Sequence, residues 1–109
     1  MNNLFKSFKD LDIRVGTITH IERFEEAINP SYKLKIDFGE LGVLKSSAQI
    51  TKNYAPEQLL GFQVIAVVNF PKKQIANFMS ECLVLGVVDE DSVILLKPDL
   101  KAKNGLRIS

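Results

Sequence analysis

The sequence predicts an all-β domain, a small and partly open Greek-key barrel of five strands with short N-terminal and interposed helices. The chain has 109 residues, which is the size of a single domain. From residue 12 onward, short segments with strand-like alternation or continuous apolar runs follow one another at close spacing. No linker, low-complexity tract or internal repeat divides them, so we expect one domain over residues 1–109.

The first eleven residues predict a short amphipathic helix. Leu4, Phe5, Phe8 and Leu11 recur at roughly helical spacing, with charged residues between them. A helix of two turns is marginal on its own in water. We therefore expect its apolar side to pack on a surface, either of its own domain or of a second subunit.

The next segments predict three strands and the interposed helix. Residues 12–22 alternate and are rich in branched side chains, and Gly16 within them predicts a bend or a bulge. A loop over residues 23–31 follows. Residues 33–38 alternate cleanly, and the turn residues 39–42 lead into a hairpin partner over 43–47. Pro56 near the start and Gly61 just past the end mark a short helix.

The second half of the chain predicts further strands. Residues 63–68 form the most apolar segment and are expected at the centre of the sheet. Residues 82–88, 92–96 and a last short segment at 106–108 complete the series, with an acidic turn at 89–91. A barrel of this size with one interposed helix is typical of the oligonucleotide/oligosaccharide-binding (OB) fold.

Composition and motifs argue against several classes of protein. Lys plus Arg is 14 and Asp plus Glu is 13, so nucleic-acid binding would depend on how charge is placed. The single Cys82 and the single His20 exclude an internal disulfide and a multi-cysteine or His-cluster metal site. We interpret His20 as a rim residue and Cys82 as a core residue. No phosphate loop or catalytic constellation is present, so we expect no enzyme activity, cofactor or metal.

We expect a cytoplasmic protein that does not insert into a membrane. The start of the chain lacks the pattern of a signal peptide. The longest apolar run covers only residues 64–68, which is far too short to span a bilayer.

Polar, cationic and aromatic residues interleave in two stretches, and these are the candidate binding residues. Lysines can contact phosphates, amides and hydroxyls can read base or sugar edges, and aromatic rings can stack on unpaired bases. The same residues could instead hold an apolar peptide side chain in a pocket lined by Phe70, Phe78 and Met79, or form a solubilising loop with the two phenylalanines packed inward. The residues are Lys45, Ser46, Ser47, Gln49, Asn69, Phe70, Lys72, Lys73, Phe78, Met79 and Ser80.

The sequence resembles the CsaA family of chaperone-like proteins and, through them, the wider tRNA-binding domain family. The similarity extends over nearly the whole chain and is most specific in two strings, Ser46-Ser47-Ala48-Gln49-Ile50-Thr51 and Val67-Val68-Asn69-Phe70-Pro71. In one departure, Lys72-Lys73 follow Pro71 where the family often has a second proline and arginines. Lysine keeps the charge but loses the planar, bidentate guanidinium. In another, the loop over residues 24–30 is acidic, which would weaken RNA contacts there.

The resemblance implies an OB fold without catalysis and a homodimer built through terminal segments. Leu4, Phe5 and Phe8 within residues 1–11 would supply the dimer interface. The resemblance also implies tRNA binding, and binding of unfolded precursor proteins in support of export. Our leading hypothesis is therefore a non-enzymatic homodimeric chaperone that binds export peptides and carries a tRNA-binding groove. The alternative is a dedicated tRNA-binding accessory protein that recognises tRNA shape.

Overall fold

The computed structural model describes residues 3–109, and over these residues the chain forms two short α-helices and nine strands. The helices are α1 (Leu4–Asp10) and α2 (Pro56–Leu59), and a 3₁₀ turn covers Gly39–Leu41. The strands are β1 (Ile13–Arg23), β2 (Tyr32–Asp37), β3 (Val43–Ala48), β4 (Gln63–Val67), β5 (Lys73–Ile75), β6 (Phe78–Ser80), β7 (Leu83–Val84), β8 (Gly86–Asp89) and β9 (Ser92–Leu95).

Five strands form a nearly closed antiparallel barrel, which confirms the predicted OB fold. Their order is β3-β2-β1-β4-β7. The segment before β7 closes the barrel against β3, because the Glu81 N–H donates to the Lys45 carbonyl over 2.8 Å. The Ser46 hydroxyl also donates to the Cys82 carbonyl over 3.1 Å. The other four strands form two hairpins outside the barrel, β5 with β6 and β8 with β9.

Two apolar clusters stabilise the barrel, one on each face of the β1–β4 pair. The interior cluster contains Ile18, Leu34, Ile36, Phe38 and Val64 among its buried residues. On the outer face, a second cluster is built from β1 and β4 and is covered by the chain termini. Its residues are Ile13, Val15, Ile65 and Val67, with Leu11, Leu85, Ala102 and Ile108 packed against them. Burial on both faces explains why residues 64–68 form a continuous apolar run.

The bulge in β1 does not lie at Gly16, so a bulge at that glycine is ruled out. The β1–β2 register shifts between Ile18 and His20, and one extra residue there turns both Ile18 and Ile21 toward the interior cluster. Gly16 is required for a different reason. A Cβ at this position would lie 2.7 Å from Ile36 Cγ2 and 2.8 Å from the Phe38 ring, so two layers of the core approach too closely for a side chain.

Two other strand predictions also differ from the structure. The segment expected as one strand over residues 82–88 is divided into β7, which pairs with β4, and β8, which leaves the barrel and pairs with β9. The expected strand at 106–108 is reduced to one bridge between Arg107 and Arg14. The polar stretch over residues 69–80, which carried no strand prediction, contains the β5–β6 hairpin.

Helix α1 is fixed to the barrel at its C-terminal end while its apolar side stays exposed. No residue of α1 is buried, and Phe5 is 74% exposed. The Arg107 guanidinium donates to the carbonyl oxygens of Lys9 (2.7 Å) and Leu11 (3.2 Å). These bonds satisfy carbonyls that a helix end leaves unpaired. The predicted helix is therefore confirmed. Leu11 packs against the outer cluster of its own domain, while Leu4, Phe5 and Phe8 are exposed.

Candidate nucleic-acid and peptide interface

The outer face of β2 and β3 carries a row of lysines. Alternation turns Leu34 and Ile36 into the barrel and leaves Lys33 and Lys35 outside. On the neighbouring strand, Lys45 lies directly opposite Lys35. The β2–β3 face of an OB barrel, together with the loops at its ends, is where this fold generally binds oligonucleotides. The short strands therefore concentrate positive charge on that face although the whole chain is nearly neutral.

Two phenylalanines that are distant along the chain, one in the loop after β1 and one on β6, pack beside these lysines. Together they form what we call the aromatic–lysine cluster: Phe24, Lys33, Lys45 and Phe78. The Phe24 and Phe78 rings meet edge to face with centroids 5.4 Å apart. Lys33 Nζ lies 4.9 Å from the Phe24 centroid and 5.7 Å from that of Phe78, and Lys45 Nζ lies 5.4 Å from that of Phe78. Each contact of this kind stabilises a partly exposed cation by about 0.5–1 kcal/mol.

Carboxylates offset part of the charge. Glu26 in the acidic loop lies 3.7 Å from Lys33, and Glu81 lies 3.5 Å from Lys72. Among residues 3–109, Lys35 and Lys73 have no such ion pair. The acidic loop thus lies next to the lysine row, and the cations remaining for a ligand are mainly those of β2, β3 and β5.

A groove of about 440 Å³ opens beside the cluster, between the end of β3 and the start of β7. Residues 47–50 form one wall and residues 80–84 the other, while Phe70, Ile75 and Val93 add apolar surface. The groove brings together five of the residues predicted from the sequence. These are Ser47, Gln49, Phe70, Lys73 and Ser80.

The other predicted residues lie outside the groove lining. Lys45 and Phe78 belong to the aromatic–lysine cluster, and Lys72 is exposed and paired with Glu81. Met79, on β6, is half-buried. The expected pocket formed by Phe70, Phe78 and Met79 together is therefore divided between two neighbouring surfaces.

Two of the predicted polar residues make internal bonds. Ser46 is completely buried, and its hydroxyl closes the barrel through Cys82. The Asn69 amide donates to the Asp10 carbonyl (2.8 Å) and accepts from the Asp12 N–H (2.9 Å), so it fastens the connection between α1 and β1. Neither side chain lines the groove. Their predicted contact with ligand remains a prediction, and the bonds point to structural roles.

Phe24, Lys33, Lys35 and Glu81 were not among the predicted binding residues. The alternation over residues 33–38 already turned the two lysines outward, so part of the signal was present in the sequence. The contact of Phe24 with Phe78 joins the loop after β1 to the distant strand β6, and no local pattern indicates it. Glu81 binds the Lys45 N–H through its carboxylate (2.9 Å), a contact that depends on barrel closure.

Cys82 lies in the groove wall as a neutral, buried thiol. It is 6% exposed, and burial raises the pKa of the thiol to about 12. A thiol with this pKa is a weak nucleophile at neutral pH. Over residues 3–109, no group of three or more His, Cys, Asp or Glu side chains could hold a metal ion.

The described residues also contain a second surface depression, and both of their α-helices are short. A separate polar depression of about 580 Å³ is lined by residues including Gln63, Lys97, Lys101 and Asn104, and it shares no lining residue with the groove. Within the described part of the chain, no helix is long and apolar enough to cross a membrane.

A small barrel with a lysine-rich β2–β3 face defines an OB-type binding domain, and comparison with known proteins gives its family. Residues 13–107 match the family described as "Putative tRNA binding domain". The crystal structure of chaperone CsaA from Bacillus anthracis superposes with a TM-score of 0.94 at 55% identity, over all of this chain and 99% of that chain. The chain belongs to the tRNA-binding domain family and, within it, to the CsaA type.

Other relatives support the same assignment. The CsaA chaperone protein from Picrophilus torridus superposes with a TM-score of 0.92 at 53% identity, over 96% of this chain and 97% of that one. The methionine–tRNA ligase of Thermococcus kodakarensis is 36% identical over 95% of this chain. The chain spans only 14% of that ligase.

Proposed function

We propose that this protein is a non-enzymatic binding protein of the CsaA type that holds tRNA on the β2–β3 face and unfolded polypeptide in the adjacent groove. The observation that carries the tRNA assignment is the aromatic–lysine cluster on that face. The family match to tRNA-binding domains supports it. The likeness to CsaA chaperones over their full length supports the peptide function.

The aromatic–lysine cluster suits recognition of a folded RNA. Lys33 and Lys45 both hold their ammonium groups within 6 Å of the Phe78 ring, so the two charges are positioned near each other before a ligand arrives. Such positioning reduces the entropy that lysine side chains lose on binding a phosphate. Phe78 is half-buried and offers part of its ring for stacking on an unpaired base.

The test is a titration of labelled total tRNA at several salt concentrations with Lys35→Ala/Lys45→Ala. The affinity for tRNA falls as salt rises, and each lost phosphate contact makes the slope of log K against log salt less steep by about 0.7–0.9. The double variant should therefore have a slope less steep by about 1.5. It should also bind tRNA more weakly at low salt. Lys101→Ala/Lys103→Ala removes the same charge from another surface and serves as the control. Equal losses in both double variants would overturn the assignment to β2–β3.

The groove and α1 carry the second part of the proposal. The groove combines an apolar lining with hydroxyl and amide groups at its rim, which suits an extended polypeptide. The exposed apolar side of α1, with Leu4, Phe5 and Phe8, would pair with a second copy of the chain. Two grooves in one dimer would bind a long unfolded chain with avidity. Such a chaperone would act on precursor proteins in the cytoplasm before export.

A further inference from the structure

The edge of β3 is capped by side chains where a barrel would normally continue with a strand. The Lys45 N–H donates to the Glu81 carboxylate over 2.9 Å, and the Ser47 N–H donates to the Ser80 hydroxyl over 3.1 Å. Main-chain pairing across this seam is provided by the Glu81 N–H donating to the Lys45 carbonyl. Two outward N–H groups of β3 are therefore bonded to side-chain acceptors, which can rotate away and leave them free for another partner.

Beyond Ser47 the seam opens into the groove. Because outward-facing backbone groups alternate along an antiparallel strand, the groups of Lys45 and Ser47 belong to the same edge, and Gln49 continues this spacing one residue past the end of β3. The Gln49 N–H has no hydrogen-bond partner among residues 3–109, and the Ser47 carbonyl has only a long contact of 3.5 Å from the Ser46 hydroxyl. Unpaired groups of this kind on an edge strand are a template for another strand.

We propose that an extended segment of an unfolded polypeptide binds as an added strand on the β3 edge at Ser47 and Gln49. The inference rests on the proposed peptide-binding function and specifies its mode. The incoming main chain would donate to the Ser47 carbonyl and accept from the Gln49 N–H. It would also displace the Ser80 hydroxyl from the Ser47 N–H.

The groove also determines which side chains fit. Side chains of an added strand alternate between two faces, so every second residue would lie against the apolar lining formed by Ile75, Val84 and Val93. The favoured occupant is a peptide with apolar residues at alternate positions and a free main chain. A nucleic acid lacks the regular N–H and C=O pairs that this edge complements.

Ser80 acts in this arrangement as an internal competitor. Replacing it with alanine frees the Ser47 N–H for the peptide, so Ser80→Ala should tighten peptide binding by about two- to tenfold, the range of one hydrogen bond. Ser92→Ala removes a hydroxyl that donates to the Asp89 carbonyl at the β8–β9 turn. Ser92 does not line the groove, so this variant is the matched control. A Ser80→Ala variant that binds no tighter than wild type would overturn the proposal.

The experiment uses the full chain and a fluorescently labelled, end-capped peptide in which leucine and valine alternate with serine. Its amides are N-methylated one at a time, and affinity is measured by anisotropy. Methylation at every second amide should weaken binding at least about fivefold, and methylation at the amides between them less than twofold.

The possible outcomes distinguish strand addition on β3 from peptide binding in general. A parent peptide that binds, with equal effects at all amides, would overturn strand addition and leave peptide binding in place. A parent peptide that does not bind at all would overturn both. An unstructured RNA serves as a competitor. If it displaces the bound peptide and itself binds Ser80→Ala more tightly than wild type, the β3 edge is an RNA site and the proposal is overturned.

Discussion

Asn69→Ala should weaken the attachment of α1 to the barrel rather than remove a ligand contact. The side chain makes two hydrogen bonds, one to each side of the junction between α1 and β1. A typical bond contributes about 0.5–1.5 kcal/mol net, and these two are exposed enough for water to replace part of their strength. We expect a loss of about 1–2 kcal/mol in the free energy of unfolding, which lowers Tm by about 4–15 °C in a domain of this size.

The assay combines thermal unfolding by circular dichroism with peptide and tRNA titrations on the same protein. Asn29→Ala is the control, because the Asn29 side chain makes no hydrogen bond within the described residues. We predict lowered Tm in Asn69→Ala, with the peptide and tRNA affinities per folded protein kept within about twofold of wild type. An unchanged Tm combined with lost binding would instead show that Asn69 contacts the ligand.

Three other changes test separate parts of the structure. Gly16→Ala should destabilise the protein by about 1–3 kcal/mol in chemical denaturation, because its Cβ would overlap Ile36 and Phe38; an unaffected midpoint would contradict the close packing. Burial raises the Cys82 pKa from the ordinary 9.0 to about 12. The free energy of unfolding should therefore be highest below pH 9 and fall as pH rises from 9 toward 12. Cys82→Ser should lack this decline while losing about 1–3 kcal/mol at pH 7, and a decline that persists in Cys82→Ser would assign it to another group. Phe8→Asp should shift a dimer to a monomer in sedimentation velocity at micromolar concentration, and a wild type that is itself monomeric would contradict the proposed interface.

The sequence predicts those strands and helices in which one face is apolar and the other is polar. Residues 33–38 alternate because Leu34 and Ile36 fill the barrel while Lys33 and Lys35 meet solvent, so both the strand and its charged face could be predicted. The segment over residues 82–88 is apolar in both of the strands, β7 and β8, into which the structure divides it. Val84 packs against the interior cluster, while Val88 is 77% exposed, and no local pattern distinguishes these environments. The division into β7 and β8 follows from pairing with β4 and β9.

The candidate site was predictable only in part, since it is assembled from contacts between distant segments. Residue types pointed to Ser47, Gln49, Lys73 and Ser80, which the barrel seam brings into one groove. They could not indicate that Asn69 fastens α1. Polarity alone does not show whether a side chain's hydrogen bonds are made within the protein or left for a ligand.

Amide chemical-shift perturbation by tRNA would locate the tRNA contact on the protein residue by residue. We expect the largest changes on the β2–β3 face and at the aromatic–lysine cluster, that is at Phe24, residues 33–35, Lys45 and Phe78. Residues 97–104, which include Lys97, Lys101 and Asn104 of the separate polar depression, should change little. Changes concentrated in residues 97–104, with the β2–β3 face unaffected, would contradict the assignment of the tRNA-binding surface.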